Sequence, residues 1–198
     1  PLRFFQEFEN LKLDDMIVVT NCPTKDYVRS FSVDFLGYHD DASKTIFHNV
    51  DFEEMSKCCK TSIKEQNMPV WFGCEMEMVN YTYGVMHPDL IDYSQIYGTK
   101  HEQDKSKRLL SRSSTPGHAM LLCGFHEDKN KVQRWQVENS WGAKKAQGYL
   151  SMDSKWFEKF VYTVVVPKST LDEKNINYKD EPIRLPPWDI LGTLAILR

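Results

Sequence analysis

His118 and Asn139 are the residues of this sequence best suited to do chemistry, because each lies in a strand-like segment close to the other in the chain. Between residues 132 and 139, Trp135, Val137 and Asn139 alternate with polar residues, so the Asn139 amide faces the apolar side of the predicted strand. An unpaired buried amide costs roughly 1 to 3 kcal/mol. We therefore predict that His118 is its hydrogen-bond partner.

A histidine held by an amide is suited to general-base catalysis. An amide oxygen that accepts from one ring N–H fixes the tautomer, and the other ring nitrogen then faces a nucleophile. A neutral amide suits a cysteine nucleophile, because a thiol is acidic enough to need less help from a carboxylate than a serine does. The alternative is a core histidine satisfied by a local amide, which is the commoner role for an arbitrary His and Asn.

A predicted β-hairpin brings the two residues together. Residues 118–125 are apolar at both odd and even positions, which predicts a strand buried on both faces. Residues 128–131 are predicted to form a turn, and apolar and polar residues alternate through 132–139. The turn near residue 129 is about equidistant from His118 and Asn139, so both fall at the same end of the hairpin.

The remaining elements are predicted to complete an α+β fold, with an antiparallel twisted sheet or half-barrel and flanking helices. Strands are expected within residues 16–20, 27–38, 70–74, 148–152 and 162–166, with residues 70–74 apolar on both faces. One helix is expected to start after an Asp51 N-cap and to end at residues 67–69, and another to span residues 155–160. Residues 75–98 are expected to form a long ordered loop, and residues 100–112 a solvated helix face with His101 exposed.

Composition limits the class of protein. The 198 residues correspond to one domain or two small ones, and 41% hydrophobic with 27% charged residues fits a globular protein. A net charge of -3 argues against nucleic acid as a partner, and no apolar run approaches the roughly 18 residues of a membrane span. Five irregularly spaced cysteines favour a reduced, cytoplasmic protein with neither metal nor cofactor: Cys22, Cys58, Cys59, Cys74 and Cys123. The first residue is Pro1, which leads us to expect a piece of a longer protein.

Blocks around both candidate residues resemble those of papain-like cysteine peptidases. The matching blocks are residues 117–120 (GHAM), 135–142 (WQVENSWG) and 148–150 (GYL). Within that clan the chain is most similar to the bleomycin hydrolase family, through residues 63–64, 70–74, 156–157 and 162–166 and the tail at 181–192 (EPIRLPPWDILG). The resemblance implies that His118 is the general base, that Asn139 orients it, and that Trp141 shields their hydrogen bond.

The resemblance also implies that the nucleophilic cysteine lies elsewhere. In the family it belongs to the half of the protein that precedes a chain like this one, followed by an aromatic residue at a helix N-terminus, and none of the five cysteines has that setting. The resemblance therefore implies that residues 1–180 are the β-rich C-terminal part of a papain-like peptidase domain, the part that carries His118 and Asn139. The intact protein is expected to cleave peptides or amides with a free N-terminus, whereas the isolated chain is expected to be inactive. The family also implies a homo-oligomer, specifically a hexamer.

Residues 181–198 are expected to form a C-terminal arm that runs toward the active-site cleft. In the family a terminal carboxylate there pairs with the substrate's amino group, which limits cleavage to N-terminal residues. Gly192, Ala195 and Arg198 are the candidate arm residues. Family members end near the residue matching Ala195, so the extra residues 196–198 would displace the carboxylate by about 10 Å if extended.

Two rival interpretations stay open. A lysosomal or secreted papain-like peptidase would make use of the glycosylation sequon at Asn80. A non-catalytic module would keep the barrel and a surface for ring formation without any turnover.

Overall fold

The computed structural model describes residues 15–36, 44–76, 82–99, 103–114, 116–142, 148–176 and 180–192. The strands are β1 (Met16–Thr20), β2 (Arg29–Val33), β3 (Ile46–Asn49), β4 (Val70–Cys74), β5 (Val85–Met86), β6 (His118–Asp128), β7 (Lys131–Glu138), β8 (Tyr149–Asp153), β9 (Val161–Pro167) and β10 (Ile183–Leu185). The α-helices are α1 (Phe52–Gln66), α2 (Tyr93–Tyr97), α3 (Lys105–Leu110) and α4 (Ser154–Phe160), and 3-10 turns cover Lys168–Thr170 and Glu173–Asn175.

One mixed sheet joins all of these strands in the order β10-β2-β3-β1-β9-β4-β6-β7-β8-β5. Six of the pairings in the described residues are antiparallel, and three are parallel: β1 with β3, β2 with β10 and β5 with β8. The α+β class and the largely antiparallel sheet are confirmed. The parallel pairs join strands that are distant in sequence or separated by long connections, which local periodicity does not reveal.

The predicted hairpin is formed by β6 and β7. Asp128 pairs with Lys131, and the two residues between them, Lys129 and Asn130, have φ values of 48° and 65°. Two consecutive positive φ values are the signature of a tight hairpin turn whose twist matches that of the flanking strands. The hairpin then runs back with Leu122 opposite Val137, so the start of β6 and the end of β7 lie together.

Helix α1 starts and ends as its sequence predicts. The Asp51 side chain accepts a hydrogen bond from the Glu54 N–H at 2.9 Å, and Asn67 ends the helix in the left-handed region at φ 51°. Its inner face buries Met55 and Cys59 against the sheet. Cys59 is therefore a core residue.

The core lies on the side of the sheet covered by α1 and α4. Its largest fully buried side chains are aromatic: Trp135, Trp156, Phe72 and Phe157. The Phe157 ring lies 5.2 Å from that of Trp135 and 5.9 Å from that of Phe52, which ties α4 both to β7 and to α1. None of the helices within the described ranges is long and apolar enough to cross a membrane.

Residues 70–74 form strand β4 as expected, and its Trp71 side chain is 46% exposed. The expectation for the segment that follows is wrong. Within residues 75–98, a two-residue strand and a helix, β5 and α2, replace the expected loop, while residues 77–81 lie outside the described residues.

Helix α3 is not a simple solvated face. The Lys105 ammonium donates to Asn21 Oδ1 at 2.7 Å and to the Val161 carbonyl, and the Arg108 guanidinium lies 4.3 Å from the centroid of the Phe160 ring. The count of basic residues predicted exposure, but long cationic side chains also bury their stems when acceptors and aromatic faces lie beneath them. His101 lies outside the described residues.

Candidate active site

His118 is the first residue of β6 and is fixed by the neighbouring strand β4. It lies opposite Cys74 in the register of these two strands, and the Gly117 N–H donates to the Cys74 carbonyl oxygen at 3.1 Å. Because the backbone is paired on both sides of residue 118, the imidazole projects from a rigid strand start. His118 is partly buried.

Asn139 directly follows β7 and is held there by its own backbone. Its N–H donates to the Gly148 carbonyl oxygen at 3.0 Å, and its side chain is buried on the same face as Trp135 and Val137. This is the face that the alternation of residues 132–139 predicted. The Asn139 amide thus lies on the apolar side of the hairpin, beside the start of β6.

A hydrogen bond joins the two side chains. His118 Nε2 lies 3.2 Å from Asn139 Oδ1. An amide oxygen can only accept, so the imidazole N–H is on Nε2, and in the neutral ring the basic lone pair is on Nδ1. The amide therefore selects the tautomer in which Nδ1 is the nitrogen able to take a proton.

The Trp141 ring contacts the His118 ring. Its ring centroid is 5.2 Å from that of His118 at an interplanar angle of 52°, which is a tilted aromatic contact. The chain turns directly afterwards at Gly142, whose φ of 67° lies in the region that glycine adopts without strain. The Trp-Gly sequence thus places an apolar ring beside the imidazole while the outer face of Trp141 is exposed.

The five cysteines of the chain are all free thiols. Cys58 and Cys59 lie within α1, Cys74 and Cys123 within strands, and Cys22 after β1. Burial raises the pKa of each thiol, and that of Cys58 reaches about 12. A catalytic thiol has a lowered pKa, so these environments oppose thiolate formation. This includes Cys74, which is opposite His118 in register but fully buried in the core.

The sequence did not predict a polar cluster that lies near the site. Ser114 contacts both the Tyr162 hydroxyl and the Glu75 carboxylate, and the Lys105 ammonium lies 4.9 Å from the centroid of the Tyr162 ring. Burial lowers the pKa of Lys105 to about 7 and raises that of Tyr162 to about 12. The cluster brings together α3, the end of β4 and the start of β9, and this long-range arrangement leaves no local signal in the sequence.

The start of the C-terminal arm is docked on the sheet. Lys25 and Asp189 form an ion pair at 2.8 Å, and β10 pairs with β2. Ile190 and Leu191 line a pocket that Pro116 also lines. Gly192 is the last described residue, and the candidate arm residues Ala195 and Arg198 lie outside the described residues. Among the described residues, no group of three His, Cys, Asp or Glu is arranged to hold a metal ion.

The fold and the paired strand ends that carry His118 and Asn139 place the chain in the papain-like class. Comparison with known proteins agrees: the Peptidase C1-like family matches residues 1–192, and the chain belongs to that family. It is 36% identical to Aminopeptidase C of Listeria innocua over an alignment of 201 positions, which covers 99% of this chain and 45% of that protein. It is 32% identical to Bleomycin hydrolase of Gallus gallus over 206 residues, covering 98% of this chain and 45% of that protein.

Similarity to a solved structure supports the same fold. PepW from Lactobacillus rhamnosis HN001 matches with a TM-score of 0.88 at 29% identity, covering 94% of this chain and 44% of the PepW chain. The resemblance to the papain-like clan and to bleomycin hydrolases is therefore confirmed. The chain spans less than half the length of these relatives.

Proposed function

We propose that this chain supplies the base side of a cysteine-type aminopeptidase, in which His118 is the general base and Asn139 orients it. The observation that carries the proposal is the 3.2 Å contact between His118 Nε2 and Asn139 Oδ1, because it selects the tautomer that a base at Nδ1 requires. The names of the relatives, aminopeptidases and bleomycin hydrolases, support a substrate that is a peptide or amide with a free N-terminus.

The nucleophile is assigned to a segment that precedes this chain in the intact protein. The raised pKa values of the five thiols support that assignment, since each thiol is protonated near neutral pH. The isolated chain is accordingly expected to be inactive.

In the proposed reaction, the thiolate attacks the carbonyl carbon of the scissile amide while His118 carries the proton as imidazolium. The C–N bond breaks as His118 Nδ1 donates that proton to the leaving amine, and a thioester remains on the cysteine. Nδ1 then takes a proton from water, whose oxygen attacks the thioester, and the acid product leaves as the thiolate reforms. Asn139 keeps the Nε2–H fixed throughout, and Trp141 keeps water away from that hydrogen bond.

The test uses the intact protein and an aminoacyl arylamide substrate. Wild-type protein is expected to release the arylamine, and His118→Ala to lower kcat by at least about 10²- to 10⁴-fold, the range that general-base catalysis contributes. Circular dichroism and a thermal melt establish that the variant is folded. Undiminished turnover by a folded His118→Ala protein refutes the assigned role.

A non-catalytic papain-like module is the second candidate. It is supported by the same buried thiols, whose raised pKa values are consistent with a protein that carries out no thiolate chemistry. The arylamide assay separates the two: turnover in the intact wild-type protein excludes the module, and its absence at high enzyme concentration excludes the peptidase.

Assembly and location follow the family in this proposal. We expect a homo-oligomer, a hexamer by resemblance, which light scattering on the intact protein measures directly. The five unpaired cysteines support a reducing, cytoplasmic location.

A further inference from the structure

A β-bulge in β9 lies at the same level of the sheet as His118. The register of β4 with β9 shifts between Gly73 and Cys74, and Tyr162 is the extra residue that this shift leaves in β9. On its other edge, β4 pairs Cys74 with His118. Bulges turn a side chain away from the regular alternation of a strand, and they are frequent beside active sites. The bulge thus sets the direction of Tyr162 two strands away from the proposed base.

Tyr162 is fixed at its backbone and at its ring. Its carbonyl oxygen accepts from the Asn21 N–H at 2.9 Å and from the Thr20 hydroxyl at 2.8 Å. The Lys105 ammonium lies 4.9 Å from the centroid of its ring, and the residue is buried. A tyrosine held in this way presents its hydroxyl at one defined point.

The Tyr162 hydroxyl begins a buried chain of hydrogen bonds. Ser114 Oγ contacts both that hydroxyl and Glu75 Oε2. A carboxylate only accepts, so the Ser114 hydroxyl donates its one proton to Glu75 and accepts from Tyr162. Burial raises the pKa of Tyr162 to about 12, which keeps its hydroxyl protonated and able to donate at neutral pH. The chain therefore runs from Tyr162 through Ser114 to Glu75.

The Glu75 end of this chain is anchored as well. The Glu75 N–H donates to the Phe160 carbonyl oxygen at 3.0 Å. Its carboxylate lies 3.7 Å from Arg108 Nη1, and the two side chains are only 23% and 14% exposed. Screening by water is weak for a pair this far from solvent, so Arg108 restricts the position of the carboxylate. Both ends of the chain are thus held by rigid strands.

Two ties consequently fix the backbone just before β6. The Gly117 N–H donates to the Cys74 carbonyl oxygen at 3.1 Å, and the Ser114 hydroxyl is held between Tyr162 and Glu75. Ser114 and Gly117 precede His118 by four residues and by one residue. A displacement of about 1 Å at a reacting group can cost on the order of 10²-fold in rate, so slack at either tie would reach the imidazole.

We propose that Tyr162 is a positioning residue whose hydroxyl, through Ser114, sets the place of His118 Nδ1 relative to the nucleophile. This inference rests on the proposed peptidase function. Because the hydroxyl acts on the base through Ser114, its loss lowers the rate of the chemical step and leaves substrate binding nearly unchanged.

The experiment measures kcat and KM of the intact protein for an aminoacyl arylamide, well below the melting temperature of each variant. Tyr162→Phe, which removes the hydroxyl and keeps the ring, is expected to lower kcat by about tenfold with KM within about twofold. Ser114→Ala is expected to cause the same loss, and the double variant no greater loss, because all three break one chain. Tyr83→Phe removes the hydroxyl of an exposed tyrosine and is the matched control, with wild-type kcat expected. A lower melting temperature with wild-type kcat in Tyr162→Phe shows a purely structural hydroxyl and overturns the inference.

Hydrogen exchange gives a readout that does not depend on turnover. The Gly117 amide is expected to exchange faster in Tyr162→Phe and Ser114→Ala than in wild type and Tyr83→Phe. The Asn139 amide, which donates to the Gly148 carbonyl oxygen at 3.0 Å, is the internal reference and is expected to keep its wild-type rate.

Each outcome of the exchange measurement decides between the alternatives. Wild-type exchange at Gly117 in a folded Tyr162→Phe protein overturns the inference, and Ser114→Ala takes its place if Tyr162→Phe does not fold. A wild-type protein that does not cleave the arylamide refutes the proposed function instead, and exchange then decides alone whether the Tyr162 hydroxyl fixes the entry into β6.

Discussion

Asn139→Ala removes the acceptor that holds the His118 imidazole while leaving the base itself in place. The lost contact is the 3.2 Å hydrogen bond to Nε2. Asn139 is buried at the end of β7, and its backbone N–H still bonds to the Gly148 carbonyl oxygen in the variant, so the strand end keeps its pairing. The substitution therefore separates the orientation of His118 from its presence.

The size of the effect follows from the charge of the ring. A hydrogen bond to a neutral partner contributes about 0.5 to 1.5 kcal/mol, and one to a charged group about 1.5 to 3 kcal/mol. In the proposed reaction the ring is an imidazolium when the thiolate attacks, so the larger range applies to the reacting state. At about 1.4 kcal/mol for each factor of ten, kcat is expected to fall by roughly 10- to 150-fold, less than for His118→Ala.

The assay is arylamide hydrolysis by the intact protein, with kcat and KM determined separately. Gln136→Ala is the matched control, since it removes an amide three residues earlier on the opposite, exposed face of β7. We expect the control to keep wild-type kcat. A folded Asn139→Ala protein with wild-type kcat would refute the orienting role, and a loss as large as that of His118→Ala would show that the amide does more than orient the ring.

Three further predictions concern stability and the remaining thiols. Phe157→Ala is expected to lower the free energy of unfolding by about 3 to 5 kcal/mol because its ring is fully buried, whereas Phe35→Ala, on an exposed ring, changes it by less than about 0.5 kcal/mol; denaturant titration measures both. Burial lowers the pKa of Lys105 to about 7 from an ordinary 10.5. The unfolded chain therefore binds more protons between those values, and the unfolding free energy of wild type relative to Lys105→Met is expected to rise with pH above 7, by up to about 1.4 kcal/mol per unit. Unfolding at pH 6 and pH 9 tests this, and a flat difference contradicts it. Cys74→Ala is expected to keep turnover within a few-fold of wild type; a loss equal to that of His118→Ala would make Cys74 the nucleophile.

Local patterns in the sequence predicted the parts of the fold that depend on near neighbours. Asp51 and Glu54 form the predicted cap of α1, and the alternation through residues 132–139 correctly predicted which face carries Asn139. Counting residues on either side of the hairpin turn then placed His118 beside it. These features depend on sequence separations of a few residues or on a single tight turn, which periodicity encodes directly.

Contacts between distant segments could not be predicted in the same way. The pairing of β1 with β9 joins residues about 145 positions apart. The inward orientation of the Lys105 side chain depends on two hydrogen-bond acceptors, the Val161 carbonyl oxygen in β9 and Asn21 Oδ1 after β1. Lys25 and Asp189 are 164 positions apart, and nothing in the sequence around either residue indicates that they form an ion pair. The apolar residues 70–74 predicted a strand but not the 46% exposure of Trp71, because burial also requires a layer of chain on that face.

The measurement that tests the central claim most directly is the pH dependence of thiol alkylation in the intact protein, with the modified cysteine identified by mass spectrometry. An imidazolium at His118 stabilises a nearby thiolate, so we predict rapid alkylation well below the ordinary cysteine pKa of about 8.5, at a cysteine other than the five in this chain. His118→Ala is predicted to abolish that low-pH reactivity. Identical alkylation profiles for wild type and His118→Ala, or labelling of Cys74 that tracks inactivation, would contradict the account.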